Sequence, residues 1–63
     1  MLELMIERWS DPTRGDSYRW SLWDAGKRIA MGGPHRSIDE SEREALGVCG
    51  KKLGRQPDRV TRL

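Results

Sequence analysis

Few residues in this 63-residue chain are of types that perform chemistry. His35 is the only histidine and Cys49 the only cysteine, so together they supply two ligands where a zinc site needs three or four. Cys49 falls on the apolar side of a predicted helix, where a thiol behaves as a small hydrophobe, and its only candidate base is His35. One histidine and one cysteine do not make a nucleophile, a base and an orienting group, and the sequence therefore predicts a protein that is not an enzyme and holds no metal.

The carboxylates and glycines also give no sign of catalysis or of nucleotide binding. Acid–base work needs a pocket that shifts a pKa, and a chain of this length hardly provides one. Gly32-Gly33 lacks the spacing and the lysine of a phosphate-binding loop. We expect no cofactor and no small-molecule substrate, and we expect solvated roles for the four carboxylates near the helix start, Asp39, Glu40, Glu42 and Glu44.

Basic and aromatic residues carry the stronger signal. Residues 1–26 hold three arginines and five acids, whereas residues 27–63 hold nine basic and five acidic residues. Basic side chains beside exposed tryptophans suit a nucleic-acid phosphate track with stacking contacts, and they suit an acidic protein surface equally well. The candidate binding residues are Trp9, Arg19, Trp23, Lys27 and Arg28.

Hydrophobic alternation predicts three strands to position these residues. Leu2, Leu4 and Ile6 alternate with Glu3, Met5 and Glu7, which favours a strand although these residue types also suit a helix. Alternation predicts two more strands, in Tyr18–Trp23 and in residues 27–31. The turn formers of residues 10–17 predict a long, mobile loop, and Asp24-Ala25-Gly26 predicts a hairpin. Gly32-Gly33-Pro34 is expected to end the third strand.

A helix follows the predicted strands. Ser37 to Glu40 has the pattern of a capping box, in which the Ser37 hydroxyl accepts from the backbone and Glu40 reaches back. The apolar stripe that should face the sheet comprises Ile38, Ala45, Leu46, Cys49 and Leu53. Gly54 is the expected C-terminal cap. Gly47 and Gly50 lie inside the helix, and either close packing on the sheet or a weak helix would account for them.

The predicted fold is α+β. Residues 1–63 form one β-β-β-α domain, a three-stranded antiparallel meander packed on one C-terminal helix. Residues 59–63 are β-friendly enough for a short fourth strand or an ordered tail.

One helix covers one face of such a sheet, and strict alternation decides which residues remain uncovered. Two sets follow. The residues expected to face the helix are Leu2, Leu4, Ile6, Trp20, Leu22, Ile29 and Met31. The residues expected on the other face are Met5, Trp9, Arg19, Ser21, Trp23, Arg28 and Ala30. An uncovered face with two tryptophans indicates a partner or a second copy of the chain, unless Trp9 folds over the sheet edge.

The stretch from Tyr18-Arg19-Trp20 through Gly26-Lys27-Arg28-Ile29 to Glu44-Ala45 resembles the arm-type DNA-binding domain of phage integrases and the APETALA-type DNA-binding domain of plants. The resemblance implies that Arg19, Trp23 and Arg28 contact bases or phosphates and that Lys27 contacts the backbone. The chain lacks the recombinase to which integrase arms are fused. The same stretch is similar to the ββα modules of the YegP-like uncharacterised family, which are linked to self-association.

We therefore expect a small binding module, of bacterial phage or mobile-element type, that holds double-stranded nucleic acid on its open sheet face. The alternative is a protein–protein module, either a homodimer or a small phage-type inhibitor docked on an acidic surface of a host protein. A lone cysteine predicts a reducing cytoplasm. Glutamates at positions 3 and 7 interrupt the apolar N-terminal run, so we expect neither a signal peptide nor a membrane anchor.

Overall fold

The computed structural model describes all 63 residues, Met1 to Leu63. The strands are β1 (Leu2–Asp11), β2 (Gly15–Asp24), β3 (Lys27–His35) and β4 (Arg59–Arg62), and the helix α1 (Ile38–Leu53) lies between β3 and β4. The strand order is β3-β2-β1-β4, with β4 parallel to β1 and the other pairs antiparallel. The predicted α+β fold, with its short fourth strand, is confirmed.

The segment predicted to be a long mobile loop is instead a tight hairpin. β1 and β2 pair as far as Asp11 opposite Gly15. The Asp11 carboxylate accepts from the N–H groups of Thr13 and Arg14, at 2.8 and 3.3 Å, and Gly15 supplies the positive φ of 84°. The turn-forming side chains satisfy the backbone of a short turn, so the strands run on into it. Residues 8–17, which we call the hairpin arm, are exposed except for Ser17.

The prediction that Ile29 and Met31 face the helix and that Ala30 faces away is wrong. The pairing of β2 with β3 shifts by one residue between Leu22 and Trp23, and Ile29 is the extra residue of this bulge. From Ala30 to Gly32 the alternation of β3 is inverted, so Ala30 packs against the core, and a second register shift before His35 restores it. Ile29 and Met31 are 44% and 59% exposed.

The third strand also continues where it was expected to stop. β3 runs through Gly32-Gly33-Pro34 to His35. β3 is an edge strand, and its outer side has no ladder partner from which a proline would remove a hydrogen bond. Gly32 lies against the Trp20 ring, where a side chain would not fit. These residues therefore allow close contact between strand, ring and helix.

The helix begins and ends where the sequence predicts. The Ser37 hydroxyl accepts from the Glu40 N–H at 3.2 Å, and Gly54 caps the C-terminus with φ 66°. The second half of the capping box is not formed, because the Glu40 carboxylate is turned toward His35, with Oε2 4.0 Å from Nδ1.

The core lies between α1 and the sheet. Its fully buried apolar residues are Leu2, Leu4, Ile6, Trp20, Leu22, Ala45 and Cys49. The helix stripe differs from the prediction at its end, where Leu53 is 41% exposed. Gly47 and Gly50 have open space where a Cβ would be, so close packing on the sheet does not account for them.

β4 is joined to β1 by a clamp at Asp58. The Asp58 carboxylate accepts from the Leu2 N–H at 2.8 Å, and the Asp58 N–H donates to the Leu2 carbonyl at 2.8 Å. Arg55 donates to the same carboxylate at 2.7 Å. The Leu2 hydrogen bond, followed by the Arg55 charge, lowers the pKa of Asp58. These hydrogen bonds fix the start of β4 beside the start of β1.

Candidate nucleic-acid interface

The sheet face opposite α1 is covered by no element of the chain. Cross-strand partners share a face, so the strand register identifies its members. We call this surface the open face; it comprises Glu3, Met5, Glu7, Trp9, Ser17, Arg19, Ser21, Trp23, Arg28, Met31, Arg59 and Thr61.

Two indoles of the open face are held by polar neighbours. The Arg19 guanidinium carbon lies 5.3 Å from the centre of the Trp9 ring, a cation–π contact. The Trp23 Nε1–H donates to the Ser21 hydroxyl at 2.8 Å. Trp9 is 54% exposed, and it does not fold over the edge to bury its ring. Polar contacts thus hold both rings in place on the surface.

The indoles border a shallow hollow of about 120 Å³. Four of the five predicted binding residues line it, and so do three further residues of the open face; together they are Trp9, Arg19, Trp23, Arg28, Glu7, Ser21 and Met31. The fifth predicted residue, Lys27, lies opposite Asp24 at the hairpin end of β3 and lines neither this hollow nor the next.

A second hollow of about 450 Å³ adjoins Trp23. Its lining is largely apolar and comprises Met1, Glu3, Met5, Trp23, Ala25 and Gly26. Trp23 therefore lines both hollows. We call the first, of about 120 Å³, the polar hollow and the second, of about 450 Å³, the apolar hollow. An extended partner on this face would contact Trp23 from either side.

The charges of the open face are unevenly satisfied. The Glu3 carboxylate accepts from the Thr61 hydroxyl at 3.0 Å and lies 3.6 Å from the Arg59 Nε. Arg19, Arg28 and Glu7 make no ion pair. The polar hollow thus presents two free guanidiniums and one free carboxylate.

Sequence reasoning missed two members of the polar hollow. Glu7 is two residues from both Met5 and Trp9 in the sequence. The alternation of β1 therefore predicts that all three side chains lie on the same face. Met31 could not be found in this way, because the bulge at Ile29 reverses the alternation before it. Glu7 could thus have been found from the sequence, whereas Met31 could be placed only from the strand register.

A separate titratable cluster lies on the helix side of the sheet. Glu44 Oε1 accepts from the Trp20 Nε1–H at 2.6 Å and lies 3.0 Å from the Nε2 of His35. His35 lies beyond the predicted end of the third strand and is instead the last residue of β3, with its ring against the helix. The hydrogen bonds with His35 and Trp20 hold the pKa of Glu44 below its ordinary value.

This cluster predicts an acid-sensitive domain. A carboxylate whose pKa is lowered by folding contributes stability that is fully present above its unfolded pKa and is lost as the pH falls through the folded one. We expect the melting temperature to fall as the pH is lowered below about 4.5, the ordinary pKa of Glu44. Circular dichroism melts of wild type and Glu44→Gln at pH 3 to 7 measure this.

Glu44→Gln should be less stable than wild type at pH 7 and should approach it at pH 3. Asp39→Asn is the matched control, because Asp39 is exposed and has no side-chain partner. Some acid sensitivity will remain in Glu44→Gln from Asp58, whose pKa is also lowered. A constant difference between wild type and Glu44→Gln across this pH range would contradict the prediction.

No three histidine, cysteine or acidic side chains lie close enough together to hold a metal ion. The Cys49 thiol is buried and donates to the Arg55 carbonyl at 2.9 Å. The helix is too short and too polar to cross a membrane. Comparisons of this chain with protein-family models, curated proteins and solved structures found no match.

Proposed function

We propose that the protein is a non-enzymatic module that binds double-stranded nucleic acid on its open face. The observation that carries this proposal is the convergence of Trp9, Arg19, Trp23 and Arg28 on one hollow, with both guanidiniums free of carboxylate partners. Free arginines beside oriented indoles are suited to phosphate oxygens and base edges.

Each residue has a distinct role in this proposal. Arg19 and Arg28 contact phosphates or base edges, and Trp23 packs against the sugar–phosphate backbone. Lys27 lies one residue from Arg28 at the end of β3 and contacts a flanking phosphate. These three cations set the electrostatic part of the affinity.

The hairpin arm supports a groove-binding geometry. β4 pairs only with Glu3–Ile6, and β3 begins its pairing with β2 at Tyr18, so the arm is two strands wide. The major groove of B-DNA, about 12 Å wide, admits a two-stranded ribbon. Arg8 and Arg14 are exposed on this arm and make no ion pair.

We place the module in a reducing cytoplasm. Its one thiol is buried and unpaired, and the fold uses no disulfide. Folded domains of this size in oxidising compartments commonly rely on several.

The second candidate is a protein–protein module, which the apolar hollow favours. Its methionines and Trp23 are residue types enriched at interface centres. In this case two open faces would pair as a homodimer, or the face would dock on another protein. In either case the tryptophans would become buried when the complex forms, and the protein would show no salt-sensitive binding to DNA.

Fluorescence anisotropy with a labelled 30-base-pair duplex tests the proposal. Three phosphate contacts predict a slope of about −2.7 for log affinity against log salt. Arg28→Ala and Trp23→Ala should each weaken binding at least about fivefold, since single contacts contribute about 1–3 kcal/mol. Arg43→Ala, an exposed helix arginine without an ion pair, is the control and should change affinity little.

Sedimentation of the free protein distinguishes the two candidates. A monomer that binds the duplex in a salt-dependent way supports the nucleic-acid module. No binding at about 50 mM salt, or an affinity that salt does not change, contradicts it. A dimer that Trp23→Ala dissociates would favour the protein–protein module instead.

A further inference from the structure

Glu7 and Arg19 lie directly opposite each other on β1 and β2. Their Cβ atoms are therefore about 5 Å apart, and opposite charges at this spacing commonly pair. Here they form no ion pair, because the Arg19 guanidinium lies over the Trp9 ring instead. A free acceptor and a set of free donors thus stand side by side on the open face.

The surroundings leave this pair accessible. β4 pairs with β1 only as far as Ile6, and beyond Arg62 the Leu63 N–H donates to the Ile6 carbonyl at 2.8 Å. On the other side β3 passes Arg19 with Gly33-Pro34, and a Cβ on Gly33 would lie 3.0 Å from the Arg19 Cα. The glycine allows β3 to lie close to the β2 backbone at this point. The pair also lies where the sheet narrows into the hairpin arm.

We propose that Glu7 and Arg19 together read one G·C base pair in the major groove, an inference that rests on the nucleic-acid binding proposed above. Guanine presents two acceptors there, O6 and N7, which match the arginine fork, and cytosine presents the N4 amino donor, which matches a carboxylate. The Arg19 donors on β2 and the Glu7 acceptor on β1 lie side by side in the same way as the guanine acceptors and the cytosine donor. An A·T pair puts the thymine O4, an acceptor that repels a carboxylate, where the cytosine donor would be, and the adenine N6 donor where the guanine O6 acceptor would be.

Glu7 is otherwise unfavourable on such a face. A carboxylate repels phosphates and lowers affinity for every sequence, so a binding surface that retains one gains selectivity by penalising wrong base pairs. The inference therefore predicts opposite effects of removing Glu7. Affinity for an arbitrary duplex should rise, and discrimination between base pairs should fall.

The test selects binders from a 30-base-pair duplex library with 12 randomised central pairs, at about 50 mM salt. Wild type should enrich sites with at least one invariant G·C pair, and replacing that pair by A·T should cost at least about fivefold in affinity. Glu7→Ala should bind the unselected library more tightly and should lose most of that discrimination. Arg19→Lys keeps the charge without the fork, so it should keep the salt slope and lose discrimination.

Asp39→Asn, which removes a carboxylate from the helix, is the control for a general charge effect and should retain the base preference. Selection without an invariant G·C pair, or a Glu7→Ala protein with the wild-type preference, overturns the inference while the proposed function stands. Absence of any duplex binding by wild type overturns both.

Discussion

Replacing Gly32 by alanine should destabilise the domain strongly, although the change adds a single methyl group. That methyl would lie 2.6 and 2.7 Å from two ring atoms of Trp20 and 2.8 Å from the Glu44 Oε1. The ring is buried in the core and cannot retreat without displacing its neighbours. Overpacking of this kind costs about 1–3 kcal/mol, and in a domain of this size each kcal/mol lowers the melting temperature by about 4–8 °C.

Gly47→Ala is the matched control for this experiment. Gly47 is an exposed helix residue with no atom within 4 Å of an added Cβ, and alanine favours a helix over glycine by about 1 kcal/mol. The two glycine-to-alanine changes should therefore shift the melting temperature in opposite directions. A stabilised or unchanged Gly32→Ala protein would show that β3 does not lie against Trp20 in this way.

Truncation of Trp20 to alanine should have the largest effect of any single substitution. The side chain is 3% exposed, packs in the core and donates to Glu44. Replacing a buried tryptophan by alanine costs about 3–5 kcal/mol, a large part of the stability of a small domain. Urea unfolding followed by circular dichroism measures the loss. Trp20→Phe keeps most of the apolar volume but loses the N–H donor, so its free energy of unfolding should lie between those of wild type and Trp20→Ala.

Trp9→Ala is the control of the same residue type. Trp9 is 54% exposed and contacts the Arg19 guanidinium, so its removal should change stability by no more than about 0.5 kcal/mol. The same variant should weaken duplex binding if the proposed function holds. Equal destabilisation by Trp9→Ala and Trp20→Ala would mean that the strand register given above is wrong.

Local patterns predicted much of the fold. The alternation of β1 and β2 identified the residues that face the helix on those strands, and Ser37 and Gly54 marked both ends of α1. These features depend on residues close together in sequence, through side-chain direction and capping. The same alternation placed Trp9, Arg19 and Trp23 on the open face.

Other features were misjudged because the same residue types serve more than one structure. The turn formers between β1 and β2 favour either a loop or a tight turn, and the hydrogen bonds of Asp11 decide for the turn. Gly32-Gly33-Pro34 weakens an isolated strand, but at a sheet edge against Trp20 it allows close packing. The outcome depended on neighbours distant in sequence.

The sequence by itself determined the order of the first three strands and the helix, the helix caps, and the faces of β1 and β2, because each follows from a repeating pattern or a local hydrogen bond. Only the tertiary structure decided the faces of β3 and the place of Met31 in the polar hollow. One extra residue at Ile29 reverses the side chains of β3 from Ala30 to Gly32, and a second shift between Trp20 and Tyr18 restores the alternation at His35. The positions of such bulges depend on how β3 packs against β2 and α1. Met31 joins Arg19 and Trp23 on the open face for that reason.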